Sequence, residues 1–333
     1  MEEIIGAIVS FGYGQEEVRG TAVAPTRWLG KYDFSFTPKS DKIMNKSAYN
    51  HLAINSGMNT IRQYGEGDVT AKIFDKAIGD FLKMVAGQEP VSTPVVGQSG
   101  VVDHVFTLLN TNGHPSYTLA VKEGGVTDNR YPGAILSSLS LDVAVDDYAK
   151  MTAGFISEIG ASATNTPAFT QENEFTPSHA SIKVVAKGGD LDGATEIADV
   201  RSASLKFNKN PIRKETIGDK KVNPRNGRME ITGQLEIYYN STTFRDYCKN
   251  DTALAMRLEI ENTDVTIGTS AHPTITIDLP FMMIETWEPD FGADNLVLQT
   301  LTIHGLYDAA TGDFVDMTVR NKEANYDDPS ESS

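Results

Sequence analysis

Asp146 and Asp147 stand side by side, and Asp290 lies four residues before Asp294. Paired carboxylates can supply the acid and base of glycoside hydrolysis when they flank a cleft. Both pairs here fall in turn-forming contexts, where aspartate serves local hydrogen bonding, so no catalytic residue is assigned. Gly188-Gly-Asp190-Leu-Asp192-Gly193 resembles part of a calcium loop, but it lacks the distal glutamate and the ligand spacing of an EF-hand. The histidines, among them His104, His114, His272 and His304, show no HxxxH spacing and no neighbouring cysteine pair. No metal site is expected from them. Gly12-Tyr13-Gly14 is followed by no lysine-bearing helix and is not a phosphate loop. Neither a nucleophile elbow nor a Walker sequence occurs. The reading is no enzyme and no cofactor.

The elements that would position any site are mostly strands. In the stretch Asn226 to Asp251, Met229, Ile231, Leu235, Ile237 and Tyr239 alternate with Arg228, Glu230, Thr232, Gln234 and Glu236. A period of two describes a strand with one buried and one wet face. Asn240, Ser241 and Thr242 follow as a candidate helix cap, and Phe244, Tyr247 and Cys248 then share one side of a helical turn. The same unit occurs earlier. Val69, Ala71 and Ile73 alternate after Gly67 as Leu235 and Ile237 do after Gly233, and Asp75 opens a stripe of Phe74, Ala77, Ile78, Phe81, Leu82 and Val85. Downstream, Tyr117, Leu119 and Val121 are echoed by Ile275, Ile277 and Leu279. The turn at Asp146-Asp147 before Met151, Ala153 and Phe155 is echoed by Asp294-Asn295 before Val297, Leu301 and Ile303. Strand, helix, strand and hairpin recur in order, which points to an internal duplication.

Length and charge agree with an assembly protein. The 333 residues suggest about two domains, and 40% hydrophobic residues are too many for a disordered chain. The formal charge of -16 disfavours a grip on nucleic acid through phosphate neutralisation. The one cysteine, Cys248, cannot form an internal disulfide and reads as a small buried apolar residue. The acidic start MEEIIGAIVSFGYGQ lacks the pattern of a secretory signal, and no window holds the run of about twenty apolar residues that a membrane helix needs. A soluble protein is expected, so the sequons at Asn45, Asn240 and Asn250 carry no meaning.

Four segments are expected: an arm over 1–28, copy one over 29–165, copy two over 166–320 and a disordered acidic tail over 321–333. Gly12, Gly14, Gly20 and Pro25 interrupt any pattern in the arm. Tyr32, Phe34 and Phe36 alternate as a first strand, Gly87 to Gly100 reads as a loop, and Thr164 to Pro177 as the linker. Lys206 to Arg228 concentrates Lys206, Lys209, Arg213, Lys214, Lys220, Lys221, Arg225 and Arg228. It is read either as a solvated hairpin or as a contact arm for an acidic surface on a neighbouring subunit.

The run from Gly14 through Glu16, Gly20-Thr21-Ala22-Val23 and Pro25-Thr26 to Leu29 resembles the opening of tail tube proteins of long-tailed bacteriophages. His104-Val-Phe106-Thr, Pro115-Ser116-Tyr117-Thr118-Leu119 and the two glycine-led strand–helix units are similar to that family as well, and the resemblance covers roughly residues 10 to 308. It implies a mainly β protein with duplicated tail-tube β-sandwich or half-barrel domains, each flanked by one short α-helix. Single-domain members form hexameric rings; a two-domain chain resembles the variant in which three subunits make a pseudo-hexameric ring. The implied role is a structural virion protein, assembled in the host cytoplasm, whose stacked rings conduct viral DNA during ejection. Its implied partners are itself, the tail tip, tape measure and tail terminator proteins, and double-stranded DNA passing non-specifically, with no membrane. Other readings are a capsid decoration or surface fibre subunit, and a carbohydrate-active enzyme.

Overall fold

The computed structural model describes residues 3–293 and 296–326. Five strands come first: β1 (Val9–Gln15), β2 (Arg27–Leu29), β3 (Lys31–Phe34), β4 (Thr37–Asn45) and β5 (Gly57–Lys72). Helix α1 (Ala77–Ala86) leads to β6 (Val91–Pro94), β7 (Val102–Phe106), β8 (Tyr117–Glu123), β9 (Asp128–Ala144), β10 (Lys150–Glu158) and β11 (Ala161–Ser162). The second half holds β12 (Ala180–Ala186), β13 (Val200–Asn208), β14 (Ile212–Lys214), β15 (Asn223–Arg225) and β16 (Glu230–Tyr238). Helix α2 (Thr243–Lys249) then precedes β17 (Leu254–Glu261), β18 (Thr274–Asp290), β19 (Leu298–Gly305) and β20 (Asp316–Asn321). The protein is mainly β, as the alternation requires.

Two strands are long enough to serve two layers. β9 pairs with β8 through its first half and with β10 through its second. β18 does the same with β17 and β19. The pairing order β1–β8–β9–β10–β5–β3 is repeated as β12–β17–β18–β19–β16–β13. The two sets are then joined edge to edge, because β9 pairs with β13 from Ser138–Asn208 to Ala144–Ser202. One antiparallel sheet therefore runs unbroken from β3 through β5, β10, β9, β13, β16 and β19 to the second half of β18.

The core lies between this sheet and the outer strands. Val69 and Ala71 of β5, Met151 and Phe155 of β10, Leu139 and Leu141 of β9, and Leu205 and Phe207 of β13 are all buried. Ile231, Leu235, Ile237, Leu301 and Ile303 extend the same apolar layer. Burial of each of the larger side chains contributes about 1.5–3 kcal/mol, and the period of two directs all of them to one side.

The two helices differ in depth. Every residue of α1 except Asp80 is buried, and its free N-terminal amides at Lys76 and Ala77 donate to Glu172 Oε2 at 3.2 and 2.7 Å. Asp75 accepts instead from Asn173. At the other end Gly87 takes the left-handed conformation (φ 81°) and donates to the Lys83 carbonyl, a C-terminal cap that disfavours side chains. Helix α2 lies outside the sandwich and has no fully buried residue. Phe244, Tyr247 and Cys248 do pack on the core, but Cys248 is half-buried. The expected cap also differs: the Thr242 hydroxyl donates to the Asp246 carboxylate at 3.0 Å.

Several expectations need correction. Val9–Gln15 is a regular strand paired along its whole length with β8, and Phe11 and Tyr13 are in the core. Gly12 breaks nothing, because a Cβ there would come within 2.8 Å of the Trp28 ring and glycine lets that ring close on the strand. Gly87 to Gly100 contains strand β6, paired with β7. Within the expected tail, Asn321 closes β20 and Tyr326 is buried beside α1, donating from its hydroxyl to the Lys76 carbonyl at 2.7 Å. Residues 327–333 lie outside the described residues. The segment Thr164 to Pro177 is irregular yet firmly held: Asn165, Glu172 and Asn173 all bond to the first half.

Candidate functional site

Among the described residues the carboxylates singled out for chemistry do not converge. Asp147 is held by Lys150 and by the Tyr148 amide, which keep its carboxyl below the usual range. Asp290 accepts from the Gly292 amide at 3.0 Å, while Asp294 lies outside the described residues. In the glycine-rich loop Asp190 closes a turn onto the Asp192 amide, and Asp192 is taken by Arg257. The histidines are spoken for singly: His104 by Ser92 and the Glu323 carbonyl, His179 by Asp264, His272 by the Val265 carbonyl, His304 by Glu285. Among the described residues no three of His, Cys, Asp and Glu are placed to hold a metal ion.

What the fold does assemble is a face. The residues that alternate with the core residues of the continuous sheet stand on its other side, and most carry hydroxyls. One ladder runs Thr70, Thr152, Ser140, Lys206, Thr232, His304; the next runs Lys72, Lys150, Asp142, Ser204, Gln234, Thr302, Thr286. Neighbouring hydroxyls bond across strands, Thr70 to Thr152 at 3.1 Å and Thr286 to Thr302 at 2.9 Å. Asp142 accepts from Ser140 and Ser204 at 2.8 and 2.6 Å. The cations are few and mostly neutralised: Lys72 by Glu174 at 2.6 Å and Lys150 by Asp147. Among the described residues of this face Lys206 alone is a cation without a carboxylate partner. With Asp68, Glu236 and Glu288 added, the face is hydroxyl-rich and mildly acidic. Each residue was visible in the sequence as the polar half of an alternation, but only the pairing shows that they share one surface.

The sheet ends in two unpaired edges. Among the described residues β3 pairs only with β5, and the second half of β18 pairs only with β19. Next to the first edge, the β4–β5 hairpin projects with Leu52 and Ile54 bare (101% and 72% exposed). The second-half hairpin β14–β15 instead lies back over the first half of the same chain. Arg213 reaches Glu66 at 3.1 Å and stacks on Tyr64, Lys221 approaches Glu158 at 3.8 Å, and Val222 is buried against Tyr64, Ile135 and Ile156. The acidic surface that its cations meet is thus the chain's own.

At the base of this hairpin lies a group that sequence reasoning counted as surface charge. Lys209 is only 3% exposed; its Nζ donates to the Met84 carbonyl at the end of α1 and to His114 Nδ1 at 3.0 Å. His114 Nε2 donates to the Leu109 carbonyl at 2.9 Å, which fixes its tautomer, and Arg19 Nη2 donates to the His114 carbonyl at 2.7 Å. Burial, with Arg19 nearby, pushes the Lys209 ammonium down to about 7. Burial and Lys209 push His114 down to about 4. Through these two hydrogen bonds Lys209 clamps the second half onto the end of α1, although burial opposes its charge. No sequence signal separated it from its exposed neighbours.

A two-layered β chain with a continuous polar face and, among the described residues, two unpaired sheet edges has the form of an assembly subunit. Among the described residues no helix is long and apolar enough to cross a membrane. No curated protein matches the chain. The family model for phage tail tube protein matches it over residues 6–302. The span takes in both long bent strands and the junction between the halves, and the chain belongs to the phage tail tube protein family.

Proposed function

We propose that this chain is the duplicated, two-domain form of a tail tube protein, with one tube domain over 29–165 that takes in the strand Val9–Gln15 of the expected arm and a second over 166–320. Three chains close a pseudo-hexameric ring, and stacked rings form the conduit for DNA. The observation that carries the reading is the sheet shared across the β9–β13 junction. That contact already joins two like units edge to edge, and repeating it between β18 of one copy and β3 of the next removes both open edges. A head-to-tail stack of such rings propagates as a filament. Closure turns the hydroxyl face inward as a lumen wall.

The composition of that face suits passage rather than binding. Duplex DNA carries one charge per about 1.7 Å of axis, and non-specific binding comes from cations that neutralise phosphates. Lys72 and Lys150 are already paired, and Asp142, Glu236 and Glu288 repel. Serine and threonine offer only weak, exchangeable hydrogen bonds. The protein then acts without catalysis in the virion tail, built in the host cytoplasm from a tail tip, around a tape measure and up to a terminator. Negative-stain microscopy with solution mass tests the reading. Hollow rings with a trimeric repeat support it, rings of six chains refute the two-domain form, and a chain that never assembles, alone or on tail tips, refutes the tube.

A further inference from the structure

A groove of about 1100 Å³ opens at the hairpin end of the sheet, between the β14–β15 hairpin base and the second half. Asn226, Met229, Glu230, His304, Leu306 and Asp313 line it. The Asn226 side chain is 7% exposed, yet neither its amide nitrogen nor its oxygen has a hydrogen-bond partner among the described residues. Leaving such an amide unpaired costs about 1–3 kcal/mol.

The chain itself shows what fits there. Phe155 faces Gly67 across β10–β5 as Ile303 faces Gly233 across β19–β16. By that register Ile156 corresponds to His304, Tyr64 to Glu230 and Ile135 to Met283. Tyr64, Ile135 and Ile156 are the residues that the β14–β15 hairpin covers within the chain. Their counterparts Glu230 and His304 are in the groove, and no hairpin of the same chain lies on them. The β4–β5 hairpin, which holds the corresponding place in the first half, projects with exposed Met44, Leu52 and Ile54 and has no seat. Among the described residues one vacant seat and one unseated hairpin remain per chain.

We infer that the groove receives the β4–β5 hairpin of a second copy lying beside it in the ring. The contact repeats between chains the one that β14–β15 makes within a chain. Charge fits the match: Lys42 and Lys46 of the hairpin would meet Glu230, Asp313 and Asp316 of the groove, as Arg213 meets Glu66. Apolar side chains of the hairpin would cover Met229 and Leu306. The inference rests on the ring reading above.

The test mixes light and nitrogen-15-labelled full-length chains, assembles them, and couples lysines to carboxylates with a zero-length carbodiimide. Mixed-isotope links from Lys42 or Lys46 to Glu230, Asp313 or Asp316 are expected in rings and absent from unassembled chains. Ile54→Asp, at an exposed position that leaves the fold intact, should weaken ring formation at least tenfold. Glu230→Lys should do likewise, with partial recovery when combined with Lys42→Glu. Rings whose hairpin links go only to other surfaces, or that form equally well with Ile54→Asp, overturn the seat and leave the tube standing. A wild-type chain that forms no ring even on tail tips overturns the tube, and the seat with it.

Discussion

Replacing Lys209 with methionine isolates the cost of a buried cation. In the folded chain the ammonium is pushed to about 7, against 10.5 for the free side chain, chiefly by burial. Below pH 7 both folded and unfolded chains carry the proton, and the group contributes no slope. Above pH 7 the folded chain releases it while the unfolded chain keeps it, so stability rises with pH. Each pKa unit corresponds to about 1.36 kcal/mol, which gives a gain of roughly 2–3 kcal/mol between pH 7 and 9. The window stops short of Tyr13 and Tyr326, which burial holds above their usual range and which act in the opposite sense once the unfolded chain ionises. Lys209→Met has nothing to titrate there and should lose this slope. At pH 7 its stability should be near or above wild type, because an apolar residue of similar volume replaces a desolvated charge. The assay is the denaturant midpoint of unassembled chain at pH 6, 7, 8 and 9. Parallel curves for wild type and variant refute the reasoning, since Lys209 would then be solvated or fully paired.

The acid side gives a second test at the same clamp. His114 is held near 4 in the folded chain, so stability should fall as pH drops from 6.5 towards 4, and His114→Gln should flatten that limb. Gly79→Ala places a methyl group 2.1 Å from the Tyr326 ring. It should expel that side chain and lower stability by about 2–3 kcal/mol, read as a fall in thermal midpoint. Glu172→Ala removes the acceptor for the Lys76 and Ala77 amides and a partner of Arg27, with a loss of about 1–2 kcal/mol expected by denaturation. If the polar face is the lumen wall, Asp142→Lys with Glu236→Lys should slow DNA ejection from virions, more at low salt than at high. Unchanged ejection kinetics would remove the charge argument.

Alternation and glycine placement made much of the architecture legible. The β character, both helices, the strands around Val69 and Leu235, and the likeness of the halves follow from local periodicity, a property of neighbouring residues. The misreadings have a common cause. Gly12 and Gly14 looked like breakers because their reason, the approach of Trp28 in one case, lies on another strand. Residues 321–326 looked like tail because the pocket that takes Tyr326 is made by α1 and β7. Lys209 looked like one surface cation among many, since its burial depends on Met84 and His114, each about a hundred residues away.

Local periodicity in the sequence marks which residues form strands and which side of each strand is apolar. Only the tertiary structure decided that β9 pairs with β13, so that two alternating patterns become one sheet with one hydroxyl face. It also decided which hairpin is seated and which is left bare. The physical reason is that periodicity selects a face within each strand, whereas register and strand order are set by long-range pairing. The hydrogen-bonding groups at strand edges are alike in every residue, so the sequence carries no local mark of which edges meet.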